Sequence, residues 1–305
     1  MNPAPSAPLF DAHNHLHDAW LAPHRDRVLA DLAAAGVRAV IVNGTSESDW
    51  PDVASLCRPP LSPLAPRLLP SLGLHPWDAG NRTTDWQRAL LSHLDSQHSH
   101  SSHPSSSFHP PFIGEIGLDR WILDRARPDD PRLAGLRRAP LDEQIEVFRW
   151  QLALAAERNL PASIHCLDAF GALHDVLRST PRPARGFLLH AYSGPAEMVS
   201  AFAKLGAYFS FNGAFLDPRK QRLQSVYATA IPADRLLVET DAPAMRPPPA
   251  HEKFPPLPAD DGSLAHHPAN LAASYAALAE LRGTFPDALA AQIAANFTRL
   301  FGPLS

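Results

Sequence analysis

The chain has 305 residues, 45% of them hydrophobic, enough to bury a large core in one α/β barrel or two smaller domains. Its net charge of −4 excludes a global pull toward nucleic acid or anionic membrane, so phosphate recognition must be local. Cys57 and Cys166, far apart, exclude a disulfide framework, and no apolar run approaches a membrane span; a cytoplasmic or nuclear, non-secreted protein is expected.

Met1–Pro8 has no basic region leading into an apolar one, so no signal peptide is expected. Strands are predicted at Leu9–His15, Val37–Asn43 and Arg67–His75. Ser92–Pro111 follows, rich in Ser, His and Pro and poor in apolar residues. It reads as a flexible polar insertion whose histidines (His93, His98, His100, His103, His109) have no carboxylate or strand to anchor them as ligands. Next come a strand at Phe112–Ile116, an amphipathic helix at Leu141–Asn159, and strands at Ala162–His165 and Gly186–His190. A helix at Pro195–Leu205 leads to strands at Ala207–Phe211 and Leu236–Thr240. Met245–Asp261 is Pro-rich, unfit for a helix or central strand, and should lie over the mouth of a barrel. Helices at 268–282 and 286–300 close the chain.

Eight β-runs alternating with helical ones predict an α/β fold, a (β/α)₈ barrel forming one domain over 1–305, with its chemistry at the C-terminal ends of the strands. Six residues fall where such a barrel puts its site: His13, His15, Glu115, His165, His190 and Asp241. His-x-His at a strand end sets both imidazoles on one side, because side chains alternate with period two. Glu115 and Asp241 each follow apolar residues, where an unpaired ionised carboxylate is costly. Together the six are what a pair of divalent cations needs to activate water. The three lysines (Lys204, Lys220, Lys253) do not end a strand, so a carboxylated lysine cannot bridge two metals, and Glu115 is placed to do so. Cys166, beside His165, should point to the opposite face and pack.

The chain resembles the TatD-type metal-dependent deoxyribonucleases, an amidohydrolase-like family. The matching pieces are Asp11-Ala-His-Asn-His-Leu16, Gly73-Leu-His-Pro76, Gly114-Glu-Ile-Gly-Leu-Asp119, Gln144 to Ala153, Leu160-Pro-Ala-Ser-Ile-His165, His190-Ala-Tyr-Ser-Gly194, Glu239-Thr-Asp-Ala-Pro243 and Asn296 to Phe301. Asp260-Asp-Gly-Ser-Leu through His267-Pro-Ala-Asn270, with Leu278 to Gly283, resembles the fungal branch. The resemblance implies that His13, His15 and Asp241 hold one ion, His165 and His190 the other, and Glu115 bridges them. It further implies that His75 contacts phosphate and that DNA phosphodiesters are cut, often from the 3′ end, with Mg²⁺, Mn²⁺ or Zn²⁺. In the scheme that follows, Asp241 accepts the proton of the attacking water and His75 stabilises developing charge. Where the family often has a second histidine this chain has Trp77, and where it often has an arginine this chain has Leu167.

Arg125 and Arg127, in the Arg-rich loop after the fourth strand, are expected on the catalytic face as guides for the DNA backbone, or else paired off with nearby aspartates. Trp77 could stack a terminal base or pack the rim. Two other readings share these residues. One is hydrolysis of a small amide, lactone or phosphoester on the same metals. The other is an inactive module that binds a protein partner through its Pro-rich loop.

Overall fold

In the computed structural model, which describes residues 7–58, 65–101, 109–259 and 262–304 (backbone only at 97–101), strands and helices alternate almost throughout. The order is β1 Leu9–Asn14, α1 Arg25–Ala34, β2 Val37–Asn43, α2 Trp50–Leu56, β3 Arg67–Leu72, α3 Trp86–Ser101 and β4 Phe112–Asp119. Then follow α4 Trp121–Asp124, α5 Leu141–Glu157, β5 Ala162–Leu167, α6 Phe170–Ser179, β6 Phe187–Leu189, α7 Ala196–Lys204 and β7 Ala207–Asn212. The last part holds α8 Gln221–Ser225, β8 Leu236–Glu239, the short strands β9 Leu257–Pro258 and β10 Leu264–Ala265, α9 Leu271–Leu281 and α10 Pro286–Phe301.

Strands β1 to β8 form one parallel sheet in chain order. Runs such as Val37–Asn43, buried at all but one position, suit strands covered on both faces. The sheet closes into a barrel where Asp241 N–H donates to His13 O (3.0 Å) and His15 N–H to Ala242 O (2.9 Å). These two bonds fasten the ends of β1 and β8 beside the predicted site. At the opposite end, Phe301 of α10 packs on Phe112 at the start of β4, with ring centroids 5.1 Å apart.

Two strands are longer than predicted, which corrects the placement of two site residues. β4 continues to Asp119 and β5 to Leu167, so Glu115 and His165 lie inside strands rather than at their ends. The cause is continued pairing of Gly117 with His165, Leu118 with Cys166 and Asp119 with Leu167, beyond a bulge between Ile113 and Ile116. Gly117 makes this possible: at φ 148° a Cβ there would stand 2.0 Å from His165 O. β3 ends at Leu72, leaving His75 on the loop that follows.

Helix α5 buries a stripe that includes Val147, Phe148, Leu152 and Ala155, and within it two glutamines. Gln151 accepts from Leu74 N–H (2.8 Å) and donates to Leu74 O (3.1 Å), one residue before His75. Gln144 accepts from Asp119 N–H (2.8 Å) and donates to Asp119 O (3.0 Å). Each glutamine thus satisfies both backbone groups of one residue next to the site. Leaving one such buried group unpaired costs about 1–3 kcal/mol, enough to favour these two rim positions strongly.

Helix α3 runs to Ser101, into the stretch expected as a polar insertion, because Leu90 and Leu94 are fully buried and anchor its face. His93 packs edge-on to Trp50 and His109 against Phe112, while His103 lies outside the described residues with the rest of 102–108. The Pro-rich stretch after β8 contains one 3-10 turn, Pro249–His251, and β9, which pairs antiparallel with β10. Asn270 accepts from Lys253 and Phe254 N–H (2.8 and 2.9 Å), and His24 reaches Pro258 O (2.9 Å). Pro247 stands against Gly213, just past β7. The end of the stretch, 260 and 261, lies outside the described residues, as do 1–6. Among the described residues no helix is long and apolar enough to cross a membrane.

Candidate metal centre

Of the six predicted ligands, the four histidines converge on Glu115, and Asp241 stands against two of them. His13 and His15 bring their Nε2 atoms within 3.2 Å of each other, as two-residue spacing on a strand requires. Each lies 3.3 Å from Glu115 Oε2. Asp241 Oδ1 completes this set, 3.6 Å from His13 and 3.2 Å from His15. Its left-handed backbone (φ 53°) is one that Asp tolerates better than most residues. On the far side of Glu115, Oε1 lies 2.8 Å from His190 Nε2 and 3.1 Å from His165 Nδ1, and those two nitrogens are 3.3 Å apart.

These separations test whether a cation fits. Donors bound at about 2.1 Å stand roughly 3.0–3.4 Å apart on an octahedron or tetrahedron. Both sets come close to that, and groups drawn from His13, His15, His75, Glu115, His165, His190 and Asp241 place ligand atoms within 4.8 Å of one another. The donor set mixes imidazole nitrogens with carboxylate oxygens, a combination that binds divalent cations.

The outer nitrogens of the histidines decide which inner nitrogens are free. His15 Nδ1 donates to Asn43 O (2.8 Å), leaving Nε2 a lone pair. His13 Nδ1 bonds Ser163 Oγ (2.7 Å), and His165 Nε2 bonds Asp119 Oδ2 (3.1 Å). His190 Nδ1 faces Glu239 Oε1 at 3.6 Å. Such outer partners fix ring orientation and raise ligand basicity. His75 is different. Its Nδ1 accepts from Trp77 N–H (3.2 Å), so the neutral ring carries its proton on Nε2, which points at Glu115 Oε1 from 3.3 Å. His75 also falls in a group with Glu115 and His165 whose ligand atoms lie within 4.8 Å of one another.

Burial disfavours charge on every group here, yet the carboxylates remain ionised. Burial would raise Glu115, but His190, His75 and His13 hold it well below the usual carboxylate range. Asp241 is held down against burial by His15, then by His190 and His13. The imidazoles split. Burial lowers His13 and His75. Against burial, Asp241 and Glu115 raise His15 well above its ordinary value, and Glu115 and Glu239 do the same to His190. His165, likewise opposed by burial, is pushed up to about 9 by Asp119 and Glu115. The carboxylates demand positive charge, which protons or cations can supply.

The family model for TatD-related DNases matches residues 10–302. The chain belongs to that family. The 3′-5′ ssDNA/RNA exonuclease TatD of Escherichia coli is 29% identical over 294 residues, 96% of this chain and 99% of the relative. The uncharacterized metal-dependent hydrolase YabD of Bacillus subtilis is 30% identical over 249 residues, 80% of this chain and 84% of YabD. Among solved structures, the TatD homologue YJJV of Escherichia coli superposes with a TM-score of 0.75 at 25% identity, covering 97% of this chain and 98% of its own. A TatD-family hydrolase from Entamoeba histolytica shares the fold, with a TM-score of 0.76 at 17% identity over 98% of this chain and 100% of its own.

In this TatD-related chain the other predicted site residues are placed as follows. Trp77 directs its indole N–H to Asp119 Oδ2 (2.6 Å), and its ring lies near Trp121 and the Arg132 guanidinium. Arg125 pairs with Asp168 (3.1 Å), and Arg127 binds Asp129 through two N–H groups (3.0 and 2.9 Å). The rest of that Arg-rich loop is also engaged. Arg120, Arg132 and Arg137 meet Asp124, Asp130 and Glu143, and Arg138 donates to backbone carbonyls. Cys166 packs against the core, as strand alternation requires.

Three buried carboxylates behind the ligands had no role in the sequence reading. Asp11 accepts from Thr240 N–H and Oγ–H, Asn14 Nδ2 and His13 N–H, although burial pushes it up to about 7. Asp119 backs His165, and Glu239, held by Ser210 and Asn212, backs His190. The signal was present. Each is an acid in an apolar strand, the argument that found Asp241.

Proposed function

We propose that this chain is a metal-dependent hydrolase of phosphodiester bonds in DNA, trimming single strands from the 3′ end with two divalent cations (Mg²⁺, Mn²⁺ or Zn²⁺). The observation that carries the reading is the position of Glu115, one oxygen against His13 and His15 and the other against His165 and His190. The name of the Escherichia coli relative, an exonuclease on ssDNA and RNA, supports the substrate class. Free cysteines at 57 and 166 support action in the cytoplasm or nucleus.

His13, His15 and Asp241 would hold one cation, His165 and His190 the other, with Glu115 shared. Bound there, the cations supply Lewis acidity, lowering the pKa of water and offsetting charge on the phosphate. Asp241, ionised at neutral pH, accepts the proton released by the attacking water. His75 donates its Nε2 proton in a hydrogen bond to the phosphate oxygen on which charge grows. Once a cation has displaced their extra protons, His15 and His165 would keep the remaining proton on the outer nitrogen, bonded to Asn43 O and Asp119 Oδ2, and turn the inner one to the cation. Arg125 and Arg127 steer the strand toward the mouth.

The test is cleavage of 3′-labelled single-stranded DNA by metal-stripped protein after add-back of each cation, beside Glu115→Ala. Cleavage restored by metal and missing from the variant is the expected result. Cations bound without cleavage of DNA would remove the nuclease reading and turn attention to small esters and amides. Failure to bind cations at all would remove the metal centre and favour the interaction module.

A further inference from the structure

We infer that Trp77 is a positioning residue for one half of the centre: its indole N–H fixes Asp119, and Asp119 fixes His165 with Nδ1 turned toward Glu115. The inference rests on the two-cation reading and deepens it.

Asp119 is fully buried, and its backbone is held on both sides by Gln144. Its carboxylate is still able to rotate about its own bonds unless both oxygens are occupied. Oδ1 accepts from Ile122 N–H (3.1 Å). Oδ2 accepts from Trp77 Nε1–H (2.6 Å) and faces His165 Nε2 (3.1 Å). Without the indole, the carboxylate would keep the Ile122 N–H bond to Oδ1, and Oδ2 would have no side-chain partner but the imidazole it is meant to orient. With the indole in place, His165 is fixed at its outer nitrogen, and its Nδ1 lies 3.1 Å from Glu115 Oε1 and 3.3 Å from His190 Nε2.

The indole is itself immobilised. His75 meets its ring edge-on with centroids 5.7 Å apart, Trp121 lies near-parallel at 6.2 Å, and the Arg132 guanidinium stands 5.9 Å from its centroid. A ring packed in this way, with its single polar atom committed to Asp119, is built as a brace rather than as an open surface for a nucleobase. The backbone N–H of the same residue holds His75 Nδ1, so residue 77 sets the orientation of two histidines from one position.

The test is calorimetric titration of metal-stripped full-length protein with Mn²⁺. The wild type is expected to bind two ions. Trp77→Phe keeps the ring and removes the N–H. It should weaken one of the two sites by about 10-fold or more and leave the other within about twofold. Trp77→His, which restores a ring N–H, should recover most of the loss, and Trp150→Phe, at a ring packed on Trp86 instead, should change neither site. Asp119→Asn should show the same selective loss, and adding Trp77→Phe to it should cost little more, because both act along one chain of contacts. Two unchanged affinities in Trp77→Phe would overturn the inference, as would equal weakening of both sites with a lowered melting temperature. A wild type that binds fewer than two ions would instead overturn the two-cation reading beneath it.

Discussion

His190 Nε2 lies 2.8 Å from Glu115 Oε1, the shortest imidazole–carboxylate contact in the centre. The other oxygen of Glu115 is 3.3 Å from both His13 and His15. A single buried side chain therefore supplies negative charge to both halves, with one oxygen against each. Asp241 Oδ1 stands 3.6 and 3.2 Å from His13 and His15, and it falls within 4.8 Å of a His190 nitrogen as well.

Glu115→Gln should on this basis damage both sites at once. The amide keeps the shape, removes the charge, and turns one N–H₂ toward an imidazole nitrogen. After dialysis against Mn²⁺, metal analysis should find at most one ion per chain, and metal-restored nuclease activity should fall by more than about 10³. Two ions retained with full occupancy would show that the bridge is not Glu115.

Protons and cations compete for the same nitrogens, and the sign of that competition follows from the shifts. His165 is raised to about 9 from an ordinary 6.5, and His15 and His190 are raised well above it. A histidine raised in the fold contributes stability that is complete below its unfolded value and lost as pH rises through its folded one. Ligation requires the neutral ring, so a cation must expel these protons. Mn²⁺ binding near pH 7 should release about one proton or more, and apparent affinity should climb up to about pH 9. Calorimetry in two buffers of different ionisation heat counts the protons directly. Binding without proton release, at an affinity indifferent to pH, would contradict the charge state assigned to these rings.

The barrel and the six residues gathered at its predicted site were legible because both leave marks on short stretches of chain. Strands covered on both faces read as unbroken apolar runs, and a His, Glu or Asp in or just after such a run stands out. The length of β4 and β5 was not legible. It depends on a close approach of Gly117 to His165 O, and a glycine gives no hint of the partner it admits. The supporting carboxylates were missed for a related reason. Asp11 is satisfied by Thr240 and Asp119 by His165, partners distant in sequence that only the closed barrel brings together. The Arg-rich loop was half legible: Arg127–Asp129 and Arg120–Asp124 are local pairs, whereas Arg125–Asp168 joins two strand-end loops.

His75 tests the division between ligand and donor. Trp77 N–H occupies its Nδ1, which leaves the Nε2 proton facing the centre. His75→Ala should lower kcat by about 10²–10³, the usual cost of one donor to a developing anion. The Mn²⁺ stoichiometry should remain at two. A drop to one ion would make His75 a ligand and reverse the tautomer assigned to it.

The arginines of the loop after β4 test whether local charge serves the substrate. Arg125 and Asp168 are both exposed, as are Arg127 and Asp129. Exposed pairs of this kind contribute about 0–1 kcal/mol, so a phosphate can displace the aspartate at small cost. Arg125 makes a single bond at 3.1 Å to a loop that follows His165, which puts it beside the centre. Arg127 is held by two bonds to Asp129, only two residues away, and its charge is more fully neutralised. Each phosphate contact on a single strand adds about 0.7 to the steepness of log affinity against log salt. Arg125→Glu should flatten that slope by about this amount for KM on single-stranded DNA, and Arg127→Glu should flatten it less. If neither charge reversal alters the slope, the loop's arginines serve its own aspartates, and the strand must find the metals by another route.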